Sequence, residues 1–290
     1  MFDFCAITSM KVLLGGVYMY INTNISALNS LSKLGSNQSS SSKIMEGLAS
    51  GKRINRASDD AAGTAVSSRM TTQVRGMDQA SRNASDGIAA LQTFEGAMST
   101  QADILQRMRE LAVQASNGTY SSGDRDNLDA EYQQLATEFD RIATNTSFNG
   151  NKFIATAGQT LDLQLSDVAN DTLTIAFSQG TLTGVGMTLG DLTGADGTKA
   201  QVEIAALDSA IDNVSKNRAD LGSYMNRLEY TVDNLSNAKV NISDAKSRIE
   251  DLDMASAMSE LTKNEILTQS SVSMLARANQ APQAILKLIG

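Results

Sequence analysis

The sequence predicts a mainly α-helical protein: N- and C-terminal arms running as a long antiparallel helical coiled-coil rod, with a small β-hairpin insert. Three observations predict it. Leu207, Val214, Leu221, Leu228, Leu235, Ile242 and Ile249 recur every seven residues without a miss, placing an apolar seam along one side of a helix. Between residues 151 and 199 the apolar period changes to two. A single proline, Pro282, in 290 residues leaves long helices uninterrupted.

Residues 1–18 differ from the rest of the chain. They hold the only cysteine, Cys5, two of the seven Phe, and an apolar run from Val12 to Tyr18. Read as a signal peptide, the segment has Lys11 as its charged start and only the short stretch Val12-Leu13-Leu14. No small-x-small cleavage site comes after it. The alternative, which we favour, is an upstream extension from a start codon assigned too early, because Gly15-Gly16 before Met19 can be encoded by a purine-rich ribosome-binding sequence. The mass of the protein purified from cells decides between the two.

Ile21, Ile25, Leu28, Leu31 and Leu34 then form an apolar stripe, followed by a purely polar run from Ser36 to Ser42. At the other end Leu261, Ile266, Leu267, Leu275, Ile285, Leu286, Leu288 and Ile289 have amphipathic spacing. Neither end carries enough continuous apolar surface to stand as a lone helix in water. Both are therefore expected to order only when packed among copies. The residues expected to carry that assembly are Ile25, Leu28, Leu31, Leu275, Leu286 and Leu288.

Between the ends, Leu91, Met98, Leu105 and Ala112 make a second heptad seam, with Ile88 and Ala102 between them. Asn117-Gly118 is expected to end this helix, with Gly118 in the left-handed conformation of a C-cap. A third helix through Leu128, Leu135, Phe139 and Ile142 is expected after Ser121-Ser122-Gly123-Asp124, and Asn149-Gly150 marks a turn. Leu161, Leu163 and Leu165 alternate with polar residues, as do Leu173, Ile175 and Phe177. With Asn170-Asp171 between them, these runs read as a β-hairpin. Gly and Thr crowd residues 180–197, which read as loop or a weakly ordered edge. In the long helix Arg218, Lys239 and Lys246 interrupt the stripe made by Ile211, Met225 and Val232. The stretch 207–249 is roughly 60 Å long at the helical rise. Apolar heptads alone do not separate an ordinary helix bundle from a filament subunit.

Composition narrows the function. The 24 basic and 32 acidic residues give a net charge of -8, against a nucleic-acid binder that must displace counterions with a basic face. No apolar run is long enough to span a membrane. One cysteine makes an intrachain disulfide or a thiolate metal cluster impossible. With no His and 4% aromatic residues, the chain is poorly equipped for a catalytic pocket. No cofactor or metal is expected. Gly47-Leu48-Ala49-Ser50-Gly51-Lys52 has one residue too few for a phosphate-binding loop, and Arg53 stands where Ser or Thr would hold magnesium. Asp59-Asp60 reads as a helix start rather than a metal pair.

Particular blocks carry a resemblance. They are Ile21-Asn22-Thr23-Asn24-Ile25-Ser26-Ala27, Leu48-Ala49-Ser50-Gly51-Lys52-Arg53-Ile54-Asn55 and Ala57-Ser58-Asp59-Asp60-Ala61-Ala62-Gly63. Further on come Leu105-Gln106-Arg107-Met108-Arg109-Glu110-Leu111-Ala112-Val113-Gln114 and Thr146-Ser147-Phe148-Asn149-Gly150. The last are Ser247-Arg248-Ile249-Glu250-Asp251 and Met274-Leu275-Ala276-Arg277-Ala278-Asn279-Gln280. In this order and spacing, residues 19–290 resemble bacterial flagellin.

The resemblance implies a structural, non-enzymatic subunit that self-assembles into the extracellular filament of the bacterial flagellum, for motility. Residues 19–60 with 250–290 would form a terminal coiled-coil inner core, and 61–150 with 200–249 a helical rod domain. Residues 151–199 would be the hairpin and loop insert, with no large outer domains. Type III export without a cleaved signal is implied. So are an export chaperone at the C-terminal segment, and filament cap and hook-associated proteins as partners. A host Toll-like receptor is a further implied partner: Arg107, Leu111 and Glu131 fall at the receptor positions and would also serve axial subunit contact. A hook–filament junction protein is the alternative reading. A protease-bearing relative of the zinc kind would need histidines that this chain lacks.

Overall fold

The computed structural model describes residues 24–193 and 198–289, with side chains described to Gln280. The expectations for residues 1–18 and Ile21 lie outside the described residues, as do the side chains of Ile285, Leu286, Leu288 and Ile289. In chain order come α1 (Ile25–Ser50), α2 (Ala61–Ala115), α3 (Ser122–Asn145), β1 (Thr160–Gln164), β2 (Thr172–Ala176), α4 (Thr198–Glu250) and α5 (Met254–Ile289). The chain divides into two compact units, residues 1–67 with 247–290, and residues 68–246. The borders between these units fall inside α2 and α4, and residues 151–193 belong to the second unit.

In the first unit α1 packs along α5. Asn24 caps α1 by accepting from the Ala27 N–H at 3.1 Å, and Gly51, at φ 71°, ends it by donating to the Gly47 carbonyl. The Gly-Lys string is thus a helix terminus, and a side chain at Gly51 would strain that left-handed turn. Polar Ser36–Ser42 continues the helix. Asp60 accepts from the Gly63 N–H at 2.8 Å and starts α2. Asp59 takes the Asn55 and Arg56 N–H groups and pairs with Lys43 at 2.8 Å, interactions that hold its carboxyl below the usual range. Ser67 donates to the Glu250 carboxylate at 2.6 Å, and Lys52 pairs with the same carboxylate.

The second unit is built on the two heptad seams. Leu91, Met98, Leu105 and Ala112 of α2 are buried with Leu207, Val214, Leu221 and Leu228 of α4 in one core. Leu235 and Ile242 are half-buried. The basic interruptions are bridges: Arg218 reaches Glu95 and Lys239 reaches Asp78, both across to α2 and both at 2.6 Å. β1 and β2 pair antiparallel with Leu161 opposite Ile175 and Leu163 opposite Leu173. Leu163 sits on α2 at buried Gly87, where a Cβ would collide with its methyl. Phe94 meets Phe177 and Phe153 edge-on at 5.3 and 5.7 Å, while Phe153 and Phe177 stack at 5.2 Å. Asn149 and Gly150 both take positive φ, and Phe148 and Asn151 exchange two backbone hydrogen bonds across that turn.

Three local expectations need correction. Gly118 does not take left-handed φ. α2 stops at Ala115, and its free carbonyls go to buried Arg125, which donates to Ala115 O at 2.8 Å and Asn117 O at 3.1 Å. α3 begins at Ser122, not after Asp124, because Ser121 is its N-cap and Asp124 closes a capping box. Its deepest residues are Arg125, Tyr132, Ala136, Phe139 and Ala143 rather than Leu128, Leu135 and Ile142. The Gly- and Thr-rich stretch is loop through residue 193, yet it is no weak edge: Leu182, Val185, Met187 and Leu192 are buried in the core. Side chains hold its backbone in place. Asp140 accepts from Leu182 N–H at 2.8 Å, Asp129 from Leu192 N–H at 2.7 Å, and Asn213 donates to Val185 O at 2.8 Å.

Candidate functional site

The terminal helices carry two different faces. On α1 the residues removed from solvent are Ala27, Ser30, Leu34, Asn37, Ser41, Ile44 and Leu48, spaced alternately three and four apart. On α5 they are Ala257, Leu261, Asn264, Thr268, Ser271, Leu275 and Ala278, again at alternating fours and threes. Such spacing is that of a coiled coil. The pairing is antiparallel, because Asn24 near the start of α1 donates to Ala278 O at 2.7 Å, Asn37 reaches Ser271 Oγ at 3.4 Å, and Leu252 before α5 packs at Gly47 near the end of α1.

Six of these fourteen seam residues are Ser, Asn or Thr, and three are Ala. Small and polar contacts release little apolar surface from water, where a full Leu side chain would contribute about 1.5–3 kcal/mol. Beside the five Leu and Ile on the seam, ten large apolar residues of the two helices lie off it. Ile25, Leu28, Leu31 and Met45 on α1, with Met254, Met258, Ile266, Leu267, Val272 and Met274 on α5, are between 41% and 63% exposed. Of the residues proposed for assembly, Ile25, Leu28 and Leu31 are on this solvent-facing surface and Leu275 is on the seam. The stripe read as Ile25, Leu28, Leu31 and Leu34 therefore splits, since only Leu34 turns towards α5. Sequence reasoning sought apolar spacing and so missed the polar seam. The signal was present as Ser, Asn and Thr at heptad positions.

The second candidate surface lies on α2 and α3. Arg107 donates to Glu131 through two nitrogens at 3.0 and 2.8 Å and to Glu110 at 3.1 Å. Glu131 and then Glu110 raise the guanidinium further above its ordinary value, so it stays charged. Leu111 is only 1% exposed and belongs to the core. Arg107 and Glu131 share a surface, and Leu111 packs beneath it.

One buried polar pair escaped notice in the sequence. Tyr132 donates to Glu203 at 2.9 Å, and both are buried. Burial, then the Glu203 charge, pushes the phenol pKa upward. The pair joins α3 to α4 and faces no open site. In the first unit, a cleft is lined by Lys43, Glu46, Lys52, Arg53 and Asp59; Lys43 pairs with Asp59 inside it, Lys52 and Glu46 pair with Glu250 and Arg56 beside it, and Arg53 donates to the Ile249 carbonyl. Among the described residues, no group of three His, Cys, Asp or Glu is placed to hold a metal ion, and no helix is long and apolar enough to cross a membrane. The two candidate sites described above are surfaces.

Comparison with known proteins agrees with that reading. A family profile described as the bacterial flagellin N-terminal helical region matches residues 21–158, and one described as the C-terminal helical region matches residues 204–289. The chain is 46% identical over 271 residues to a flagellin of Halalkalibacterium halodurans, covering 93% of this chain and 100% of the relative. It is 43% identical over 306 residues to a flagellin of Bacillus subtilis, at 93% and 100% coverage. A flagellar filament 33 kDa core protein of Treponema phagedenis is 45% identical over 286 residues, also at 93% and 100%. A crystal structure of Bacillus cereus flagellin shares 41% identity over 53% of this chain and 88% of that one, with a TM-score of 0.47.

Proposed function

Because the chain belongs to the bacterial flagellin family, we propose that this structural subunit of the flagellar filament assembles by burying the off-seam faces of α1 and α5 against copies of itself. One observation carries the reading. Large apolar side chains lie exposed on the same two helices whose mutual seam carries six Ser, Asn or Thr among its fourteen residues. The intramolecular pair is therefore weak, and most of the apolar surface that could offset the entropy of ordering those ends becomes buried only between subunits. Folding of the ends and association are one event. The hook–filament junction reading is not favoured, since the relatives named above are flagellins and a filament core protein.

The role is mechanical rather than catalytic, and the filament lies outside the cell. Weakly paired ends suit export in an unfolded state through a type III channel. An export chaperone at the C-terminal segment would cover the apolar face of α5 until then, and the filament cap and hook-associated proteins meet the subunit at the tip and base. Residues 19–60 with 250–290 act as the inner core, residues 61–150 with 200–249 as the rod, and residues 151–199 as the insert. Leu275, Leu286 and Leu288 are the assembly residues offered for the C-terminal segment. The Arg107–Glu131 surface is offered as an axial subunit contact and as the site for a host Toll-like receptor.

Seeded polymerisation tests the central claim. Leu28→Asp combined with Leu31→Asp places two charges on the exposed face of α1 without touching the seam. The variant is expected to keep the fold of residues 68–246 by circular dichroism and to fail to elongate seeds. Filaments growing at the unmodified rate would refute the reading.

A further inference from the structure

Methionine is distributed unevenly between the two units. In residues 68–246, Met98, Met108 and Met187 are at most 2% exposed, and Met70, Met77 and Met225 are half-buried. In the terminal helices the described methionines are Met45, Met254, Met258 and Met274, at 47%, 49%, 52% and 55% exposure. All four lie off the α1–α5 seam, among the apolar residues that the proposed assembly would cover. The single cysteine, Cys5, lies outside the described residues, so thioethers are the only sulfur on the described surface. We infer that Met45, Met254, Met258 and Met274 form a reversible oxidation site at which a peroxide withdraws an unassembled subunit from polymerisation. This rests on the reading that the off-seam faces are the subunit contacts.

The chemistry is complete with a peroxide as the oxidant. The thioether sulfur attacks one peroxide oxygen, the S–O bond forms as the O–O bond breaks, and sulfur is oxidised by two electrons. With hydrogen peroxide, the departing hydroxide takes up the proton lost from the oxygen now on sulfur and leaves as water. The product sulfoxide is a strong dipole on a side chain that was apolar and pliant. Burying it between subunits without a hydrogen-bond donor is unfavourable, and each subunit carries four such positions. A thiol-dependent methionine sulfoxide reductase reverses the change, the oxygen leaving as water and two thiols becoming a disulfide. Once a subunit is assembled, neighbouring copies cover the sulfur atoms and slow the reaction. The buried methionines of residues 68–246 are protected in either state.

The test uses the full-length chain, dilute hydrogen peroxide, peptide mass mapping and seeded polymerisation. Expected are oxygen uptake first in peptides containing Met45, Met254, Met258 and Met274, at least a tenfold fall in elongation rate, and recovery on adding reductase with a thiol. Preformed filaments should take up oxygen at those positions at least tenfold more slowly. A variant carrying Met→Leu at all four positions is compared with itself before and after peroxide, and its ratio should stay near one whatever its untreated rate. The inference is overturned if oxygen enters residues 68–246 first, if the four-fold oxidised chain elongates undiminished, or if the reductase restores nothing. A variant that loses elongation to peroxide as the parent does would also sink it. Failure of the untreated parent chain to polymerise at all would instead remove the underlying reading of the off-seam faces.

Discussion

Replacing Asn37 and Asn264 with Leu tests whether the polar seam keeps the terminal pair weak. Asn264 is 9% exposed and Asn37 half-buried, and both occupy heptad positions between α1 and α5. Leu keeps the heavy-atom count and branching of Asn with bulkier end groups, so the change adds apolar burial on a side chain of the same shape. Full burial of a Leu side chain contributes about 1.5–3 kcal/mol, and the half-buried position about half of that. Against this stands the Asn37–Ser271 hydrogen bond, long at 3.4 Å and worth at most about 1 kcal/mol. The net gain is about 1.3–3.5 kcal/mol, a shift of roughly 10- to 400-fold in the pairing equilibrium. Hydrogen exchange on dilute, unassembled protein reads it directly, because protection in residues 25–50 and 254–280 should rise by that factor while residues 68–246 stay unchanged. Seeded elongation should slow, as ends already paired must rearrange to enter the filament. Unaltered protection in both helices would refute the account of the seam.

Arg125→Ala removes the donor that takes up Ala115 O and Asn117 O at the end of α2. Hydrogen bonds to charged groups are worth about 1.5–3 kcal/mol each, so a loss of about 3–5 kcal/mol in urea unfolding is expected, and a loss under about 1 kcal/mol would count against this capping role. A double-mutant cycle on Arg107→Ala and Glu131→Ala should give less than about 1 kcal/mol of coupling in the monomer, because the pair is half exposed; its effect should instead appear in filament growth. Acid should weaken both units. Lys43 and the Arg56 N–H hold Asp59 low, Ser121 holds Asp124 low, and Arg141 holds Glu138 low. These depressed carboxyls contribute stability above their ordinary values of 3.8 and 4.5 and lose it as pH falls through the lower folded values. Urea midpoints should be flat from about pH 8 to 5, with no His to titrate between, and should drop below about pH 4.

Much of the architecture is legible in the chain because it follows local rules. Seven-residue spacing marks the buried faces of α2 and α4, and period two marks the hairpin from Leu161 to Ile175. The Asn149-Gly150 turn needs two positive φ values, which Asn and Gly supply most cheaply. Other features depend on partners distant in sequence. Asn117-Gly118 looks like a glycine cap, but a guanidinium from α3 arrives first and satisfies the carbonyls. Residues 180–193 have the composition of a free loop, yet four apolar side chains and three polar clamps bind them to the core. At Leu111 the motif indicates a surface contact, and the tertiary structure turns that side chain inward.

The amino-acid order alone determined the helical class, the place of the hairpin, the helix start at Asp60 and the family, because each rests on spacing within a few turns of chain. Only the tertiary structure decided which side of each terminal helix meets the other. Hydrophobicity points Ile25, Leu28, Leu31 and Leu34 one way as a single stripe. Coiled-coil geometry selects instead the three-four series from Ala27 to Leu48, because side chains must interlock with those of α5 at matching heights. The apolar face left over on each helix is a property of the pair, and no single stretch of sequence contains it.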